Sequence, residues 1–203
     1  DSPDALDKQY EGEQKGYTYA REGHPNAEIL ALLIDKLEGG TSGLVVSSGM
    51  AAISSLIMGT LSSGDHVLGG SQLYGRTLRL MREDLPRFGI QTSFADPTNI
   101  ASVKNEIRKN TKMILIECVS NPTLRVADLE GIANLCKKNN ILLAVDNTFT
   151  TPASIKPYDF GADFVIHSIT KLLSGHSDTT LGYVSAKDKN KICLLYTSDA
   201  ADE

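Results

Sequence analysis

Short runs of consecutive apolar residues alternate along this chain with longer segments whose apolar residues recur at helical spacing. That alternation restricts the fold more than any other feature. The runs are "GLVV", "HVLGG", "MILI", "ILLAV" and "FVI". A strand with one wet face alternates apolar and polar residues, whereas a run that is apolar at every position marks a strand covered on both faces. Between the runs lie "MAAISSLIMGTL", "GRTLRLMREDLPRFG", "NIASVKNEIRKN" and "LEGIANLCKKN". All carry helical apolar spacing, and the second is expected to end or kink near Pro86. Buried strands alternating with helices predict an α/β domain on a largely parallel sheet. Upstream, "NAEILALLIDKLEGG" predicts a helix whose apolar face is Ile29, Leu32, Leu33 and Leu37, closed by Gly39 and Gly40.

At 203 residues the chain can bury a sizeable core as one domain. Its 20 basic and 25 acidic residues leave a net charge of −5, which argues against a nucleic acid or an anionic membrane as partner. Tryptophan is absent, so there is no stacking platform for single-stranded nucleic acid. No apolar run approaches the roughly 20 residues that span a bilayer. The opening "DSPDALDKQYEGEQKG" is polar and acidic, unlike a signal or transit peptide. Cys118, Cys136 and Cys193 are odd in number and form no C-x-x-C pair. They point away from a disulfide framework and from zinc, so no metal is expected, and toward the reducing cytoplasm. Cys118 and Cys136 are read as core residues.

Ligands of parallel sheets sit beyond the carboxyl ends of the strands, and four such junctions carry unusual residues. In "VSSGMAAI" a strand runs through Ser47-Ser48-Gly49 into a helix. This is either an anion cradle of helix-end N–H groups or a turn that needs glycine for geometry alone. Tyr74, in "GGSQLYGRT", either stacks on a flat ligand or packs its ring with a wet hydroxyl. Asp146 ends "LLAVD", a costly place for a carboxylate without a cation or donor. Metal binding and a turn-capping role through "DN" remain as readings. In "VIHSITKLLSGHSD", Ser168, Thr170 and Lys171 follow an apolar strand, which predicts a buried lysine where snorkelling to the surface is the plain alternative. The nucleotide motifs G-x-G-x-x-G and G-x-x-x-x-G-K-[ST] are absent, which disfavours a nicotinamide-dependent oxidoreductase. An anion cradle, an aromatic wall, a carboxylate and an amine are together what pyridoxal 5′-phosphate (PLP) would use.

The stretches "YAREGHPN", "SSGMAAI", "LYGRT", "SNPTLRVADL", "DNTFTTP" and "HSITKLLSGHSD", in that order and spacing, closely resemble the Cys/Met-metabolism family of PLP-dependent enzymes. This is the γ-family of fold type I: cystathionine γ-synthases and γ-lyases, methionine γ-lyases and O-acetylhomoserine sulfhydrylases. The likeness runs from about Tyr17 to Lys187. It implies that Lys171 binds the cofactor covalently and acts as the catalytic base with a depressed pKa. It also implies that Asp146 pairs with the ring nitrogen, that Tyr74 stacks on the ring and serves as a second acid or base, and that Asn121 bonds the ring oxygen. Gly49 and Met50 (backbone) with Ser168 and Thr170 (hydroxyls) would hold the phosphate. Tyr19 and Arg21 would reach into a neighbouring subunit's site, implying a dimer or tetramer.

The resemblance implies a trans-sulfuration enzyme acting on a small amino-acid substrate by γ-elimination at cystathionine- or methionine-like compounds. The alternatives are γ-replacement on an O-acyl-homoserine and an inactive truncated domain. Arg76 stands where methionine γ-lyases carry a cysteine, which weighs against that activity, and "HPN" stands where many relatives have "NPT". By the same comparison the chain is expected to be a fragment. Residues 1–25 would be part of an N-terminal arm, 26–192 the PLP-binding domain, and 193–203 a tail foreign to the family, read as an assembly scar. The C-terminal domain, with the arginine for the substrate's α-carboxylate, is expected to be missing.

Overall fold

The computed structural model describes residues 2–14, 16–20 and 23–191. Arg21, Cys193 and the tail 193–203 therefore lie outside the described residues. After a short helix α1 (Pro3–Tyr10), α2 (Pro25–Glu38) leads into β1 (Ser42–Val46) and α3 (Gly49–Thr60). Then follow β2 (His66–Gly70), α4 (Gly75–Arg79), β3 (Gln91–Ala95), α5 (Ile100–Glu106), β4 (Thr111–Glu117), α6 (Leu129–Asn139) and β5 (Leu142–Asp146). Two single-turn helices, α7 (Thr151–Ser154) and α8 (Pro157–Phe160), precede β6 (Phe164–Ser168) and β7 (Gly182–Ala186). No helix among the described residues is long and apolar enough to cross a membrane.

The strands form one sheet in the order β1-β7-β6-β5-β4-β2-β3. The pairs β2–β3, β2–β4, β4–β5 and β5–β6 are parallel, while β7 runs antiparallel to both β6 and β1. The sequence pattern predicted the parallel strands but not β7. Every strand except β7 thus ends on the same rim, and β7 begins there.

Alternation along each strand divides the core into two layers. Met113, Leu115, Ala144, Phe164 and Ile166 pack with Ala52, Ile53, Leu56 and Ile57 of α3 on one side. Ile114, Ile116, Leu143, Val145 and Val165 pack with Ile132 and Cys136 of α6 on the other. Because both faces are covered, a strand gains by being apolar at every position, each fully buried aliphatic side chain contributing about 1.5–3 kcal/mol. Cys118 and Cys136 are buried in the second layer as expected, and burial pushes both thiols up to about 12.

Two expectations are corrected. The segment 75–89 does break near Pro86 as expected, but it is not one α-helix up to that point. It is an α-turn, a π-turn at Leu80–Asp84 and a 3₁₀-turn at Leu85–Phe88, closed by Gly89 at φ 78°. The second concerns α2, which is present but turned the other way. Ile29, Leu32, Leu33 and Leu37 are 53–64 % exposed, and the buried residues are Ala31, Ile34, Asp35 and Glu38. Specific polar partners decide the orientation. Tyr183 donates its hydroxyl to Asp35 Oδ1 at 2.5 Å, and Glu38 meets His167 and Asn147 behind the sheet's rim.

Candidate active site

At the end of β1, Ser48 caps α3, its Oγ accepting the Ala51 N–H at 3.1 Å. The N–H groups of Gly49 and Met50 lie in the first turn, ahead of any intrahelical acceptor. A Cβ on Gly49 would stand 2.7 Å from Ser168 Cβ. Only glycine therefore lets the positive end of α3 press against the end of β6. The Ser168 hydroxyl has no protein hydrogen-bond partner among the described residues. The Thr170 hydroxyl is already engaged, donating to Leu181 O at 3.2 Å and accepting from Leu181 N at 3.1 Å.

Asp146, at the end of β5, is held on one side only. Its Oδ1 accepts the Thr148 N–H at 3.0 Å and the Thr148 hydroxyl at 2.5 Å. Thr148 Oγ1 in turn accepts the Ser168 N–H at 2.9 Å, tying the ends of β5 and β6 together. The other carboxylate oxygen makes no protein hydrogen bond among the described residues. Burial raises the Asp146 carboxyl above the ordinary carboxylate range, against the opposing pull of the Thr148 bonds and of His167. Such a group gains from a cationic N–H donor.

These residues line one cavity of about 260 Å³. Gly49, Met50, Tyr74, Asn121, Asp146, Ser168, Thr170 and Lys171 all border it, so eight of the ten residues singled out from the sequence are brought together. Tyr19 is exposed and does not line this cavity, and Arg21 lies outside the described residues. The expectation of a buried lysine is wrong for this structure: Lys171 is exposed. Strand β6 ends at Ser168, and the chain turns through Ile169 and Thr170 before reaching it, so the lysine clears the apolar layer. It lies between the cavity and an open depression of about 570 Å³ formed with Gly175–Thr180. Tyr74 is 55 % exposed; it borders the cavity as a wall rather than covering it.

The structure adds residues that sequence reasoning missed. Glu117 ends β4 and is the register partner of Asp146 across the parallel pair. Its Oε1 accepts the Tyr74 N–H at 2.6 Å, while Oε2 is buried without a partner among the described residues. Burial and the facing Asp146 push its carboxyl up to about 7, against the pull of the Tyr74 and Asn121 N–H groups. Its signal was available, since "MILIE" ends in a carboxylate as "LLAVD" does. Behind the rim, on the opposite sheet face, Glu38 Oε1 binds His167 Nε2 at 2.5 Å and accepts from Asn147 Nδ2 at 2.8 Å. These are the chain neighbours of Ser168 and Asp146.

The residues present fit the cofactor expected from the sequence. Helix-end amides and the Ser168 hydroxyl offer donors for a phosphate, Asp146 an open acceptor for a ring N–H, Lys171 an amine, and Tyr74 an aromatic wall. The profile of the family "Cys/Met metabolism PLP-dependent enzyme" matches residues 3–199. The chain is 48 % identical over 180 residues to cystathionine beta-lyase MetC of Bacillus subtilis, covering 89 % of this chain and 46 % of that protein. It is 42 % identical over 190 residues to L-methionine gamma-lyase of Fusobacterium nucleatum, covering 93 % and 48 %. Among solved structures it is similar to an O-acetylhomoserine (thiol)-lyase (metY) of Campylobacter jejuni, at TM-score 0.85 and 32 % identity, covering 96 % of this chain and 48 % of that one. That structure contains N′-pyridoxyl-lysine-5′-monophosphate. The chain spans about half the length of the curated relatives it matches.

Proposed function

Because the chain belongs to the Cys/Met metabolism PLP-dependent enzyme family, we propose that it is the cofactor-binding part of a trans-sulfuration enzyme. That enzyme breaks a carbon–sulfur bond at the γ position of a cystathionine- or methionine-like amino acid. One observation carries this reading: amine, carboxylate, aromatic wall and anion cradle converge on a single cavity. When bound, PLP supplies an electron sink for the charge left on the substrate's α-carbon.

The chain's own residues would act as follows. Lys171 would hold the cofactor through its amine and, whenever that amine is free, would take the proton from the substrate's α-carbon and pass protons further along the substrate. Its position at the mouth, between the cavity and the outer depression, suits a group that must swing between the two tasks. Asp146 holds the ring nitrogen protonated through the oxygen that Thr148 leaves open, and a low-dielectric floor strengthens that pairing. Tyr74 stacks on the ring, with its phenol available as an acid or base near the leaving group. Asn121 bonds the ring oxygen. Gly49, Met50 and Ser168 hold the phosphate, and Thr170 joins them only by sharing the hydroxyl that now serves Leu181.

The second reading is γ-replacement on an O-acyl-homoserine, favoured by the likeness to the metY structure. The relatives differ in reaction by their names alone, so identity to them does not select one. Self-association is supported by Tyr19, which belongs to a shared motif yet stands outside this cavity, and by the exposed stripe Ile29, Leu32, Leu33 and Leu37 on α2. The cytoplasm suits a protein that keeps Cys118 and Cys136 as free thiols. The deciding experiment adds PLP to the chain, reduces the yellow product with borohydride and maps the modified peptide. A label on any residue but Lys171 overturns the assignment. Turnover of cystathionine, methionine and O-acetylhomoserine by the chain then separates elimination, replacement and an inactive domain.

A further inference from the structure

We infer that Glu117 is the positioning residue of the ring pocket, a single carboxyl at the end of β4 that holds the Tyr74 segment flanking the cofactor ring and sets its distance from Asp146. The inference rests on the PLP reading above and extends it to a residue that no motif singled out.

The geometry is specific. Glu117 and Asp146 are register partners on adjacent parallel strands, so their side chains leave the same face of the sheet side by side. Glu117 does not use this place to meet a cation. It accepts the backbone N–H of Tyr74 at 2.6 Å, a short bond across 43 residues of chain. Tyr74 otherwise stands on an exposed turn, and such turns tend to be the most mobile parts of a fold. A bond from a charged acceptor to a backbone donor is among the stronger ones a protein makes. One carboxyl therefore joins the aromatic wall to the strand next to Asp146.

The second oxygen of Glu117 is buried and has no protein partner among the described residues. Burying such an atom is unfavourable, and its presence here agrees with a site kept for its position rather than for local stability. The charged and titratable groups facing Glu117 are Asp146 from β5, the Tyr74 phenol from the turn after β2, and Lys171 beyond β6 across the cavity. Arg125 borders a small crevice that Glu117 also lines.

The test is amide hydrogen exchange on the 203-residue chain carrying Glu117→Gln or Glu117→Ala. It is read at Tyr74 with and without PLP, alongside the dissociation constant and absorbance of the bound cofactor. Glu117→Ala is expected to speed exchange at the Tyr74 amide by about ten-fold or more. It should also weaken PLP binding by at least about five-fold and shift the bound cofactor's absorbance. Glu117→Gln keeps an acceptor and should recover most of all three. In the unaltered chain, protection of the Tyr74 amide, corrected for intrinsic rates, should grow as pH rises through about 7; in Glu117→Gln it should stay flat. Unchanged exchange in Glu117→Ala overturns the inference. Faster exchange with unaltered PLP affinity and absorbance also overturns it, because Glu117 would then be structural only. Exchange that responds as expected in an unaltered chain that takes up no PLP overturns the cofactor reading instead, and leaves the anchor standing.

Discussion

Across β5 and β6, residues one position apart in the chain face two different worlds. Asp146 and Ser168 open onto the cavity, with one carboxylate oxygen and one hydroxyl left without protein partners. Asn147 and His167, their immediate neighbours, are completely buried on the other face, where Glu38 binds both. The open side keeps acceptors and donors unspent, as a ligand site must. The closed side spends them on position. It is not fully satisfied either, since Glu38 Oε2, Asn147 Oδ1 and His167 Nδ1 are buried without partners among the described residues. A buried polar cluster with unmet hydrogen-bonding atoms is a poor source of net stability. What the cluster provides is a fixed seat, in which α2 grips from behind the two strand ends that present Asp146 and Ser168 in front.

The sharpest break in this comparison is on the open side. Lys171→Ala should leave the fold intact and abolish the borohydride-reducible label, and in an active form of the enzyme it should lower turnover by at least about a thousand-fold. On the closed side, Glu38→Ala strands His167 Nε2 and takes one of the two acceptors of the Asn147 amide, and should destabilise the chain by about 2–4 kcal/mol in a urea titration. Asp146→Asn makes the contrast. It removes a carboxyl whose ionised form burial disfavours, so the cofactor-free chain should be as stable as the original or more so while its PLP binding weakens.

Acidity reads the same difference. The Glu117 carboxyl rises from 4.5 to about 7 on folding, so between those values the folded chain binds the extra proton and stability falls as pH increases. The loss should reach at most about 3 kcal/mol, complete above pH ~7 and absent below pH ~4.5. Asp146 shifts in the same direction. Glu117→Gln should flatten the part of the profile due to Glu117, which denaturation at a series of pH values checks. The smallest effect expected is that of Ser168→Ala. It should cost about 1–2 kcal/mol of PLP affinity, roughly ten-fold in dissociation constant, with stability changed by no more than about 0.5 kcal/mol.

Much of this molecule is legible in the one-dimensional pattern. Unbroken runs such as "MILI" and "ILLAV" announce strands with two dry faces, and the residues that interrupt them at their carboxyl ends announce the rim. Asp146, Ser168 and Gly49 could be found that way because each violates a local expectation: a carboxylate, a hydroxyl or a glycine where apolar packing would continue. Lys171 was found for the same reason, but its surroundings were misjudged. Two residues of turn beyond the strand were enough to bring it into the open.

The α2 stripe misled for a related cause. Periodicity counts apolar residues, and four leucines and isoleucines outweigh one aspartate and one glutamate in any such count. The buried side was nonetheless chosen by Asp35 and Glu38, because partners from β5, β6 and β7 stood ready for them. Hydrophobic burial is non-directional and can be read from spacing alone, so the sequence by itself determined the layers, the strands and the rim on which chemistry collects. Hydrogen bonds and ion pairs depend on which distant residue arrives within about 3 Å. Only the tertiary structure could decide that Glu117 stands beside Asp146, that Thr148 closes one oxygen of that carboxylate and leaves the other open, and that a charged face of α2 turns inward to hold the site from behind.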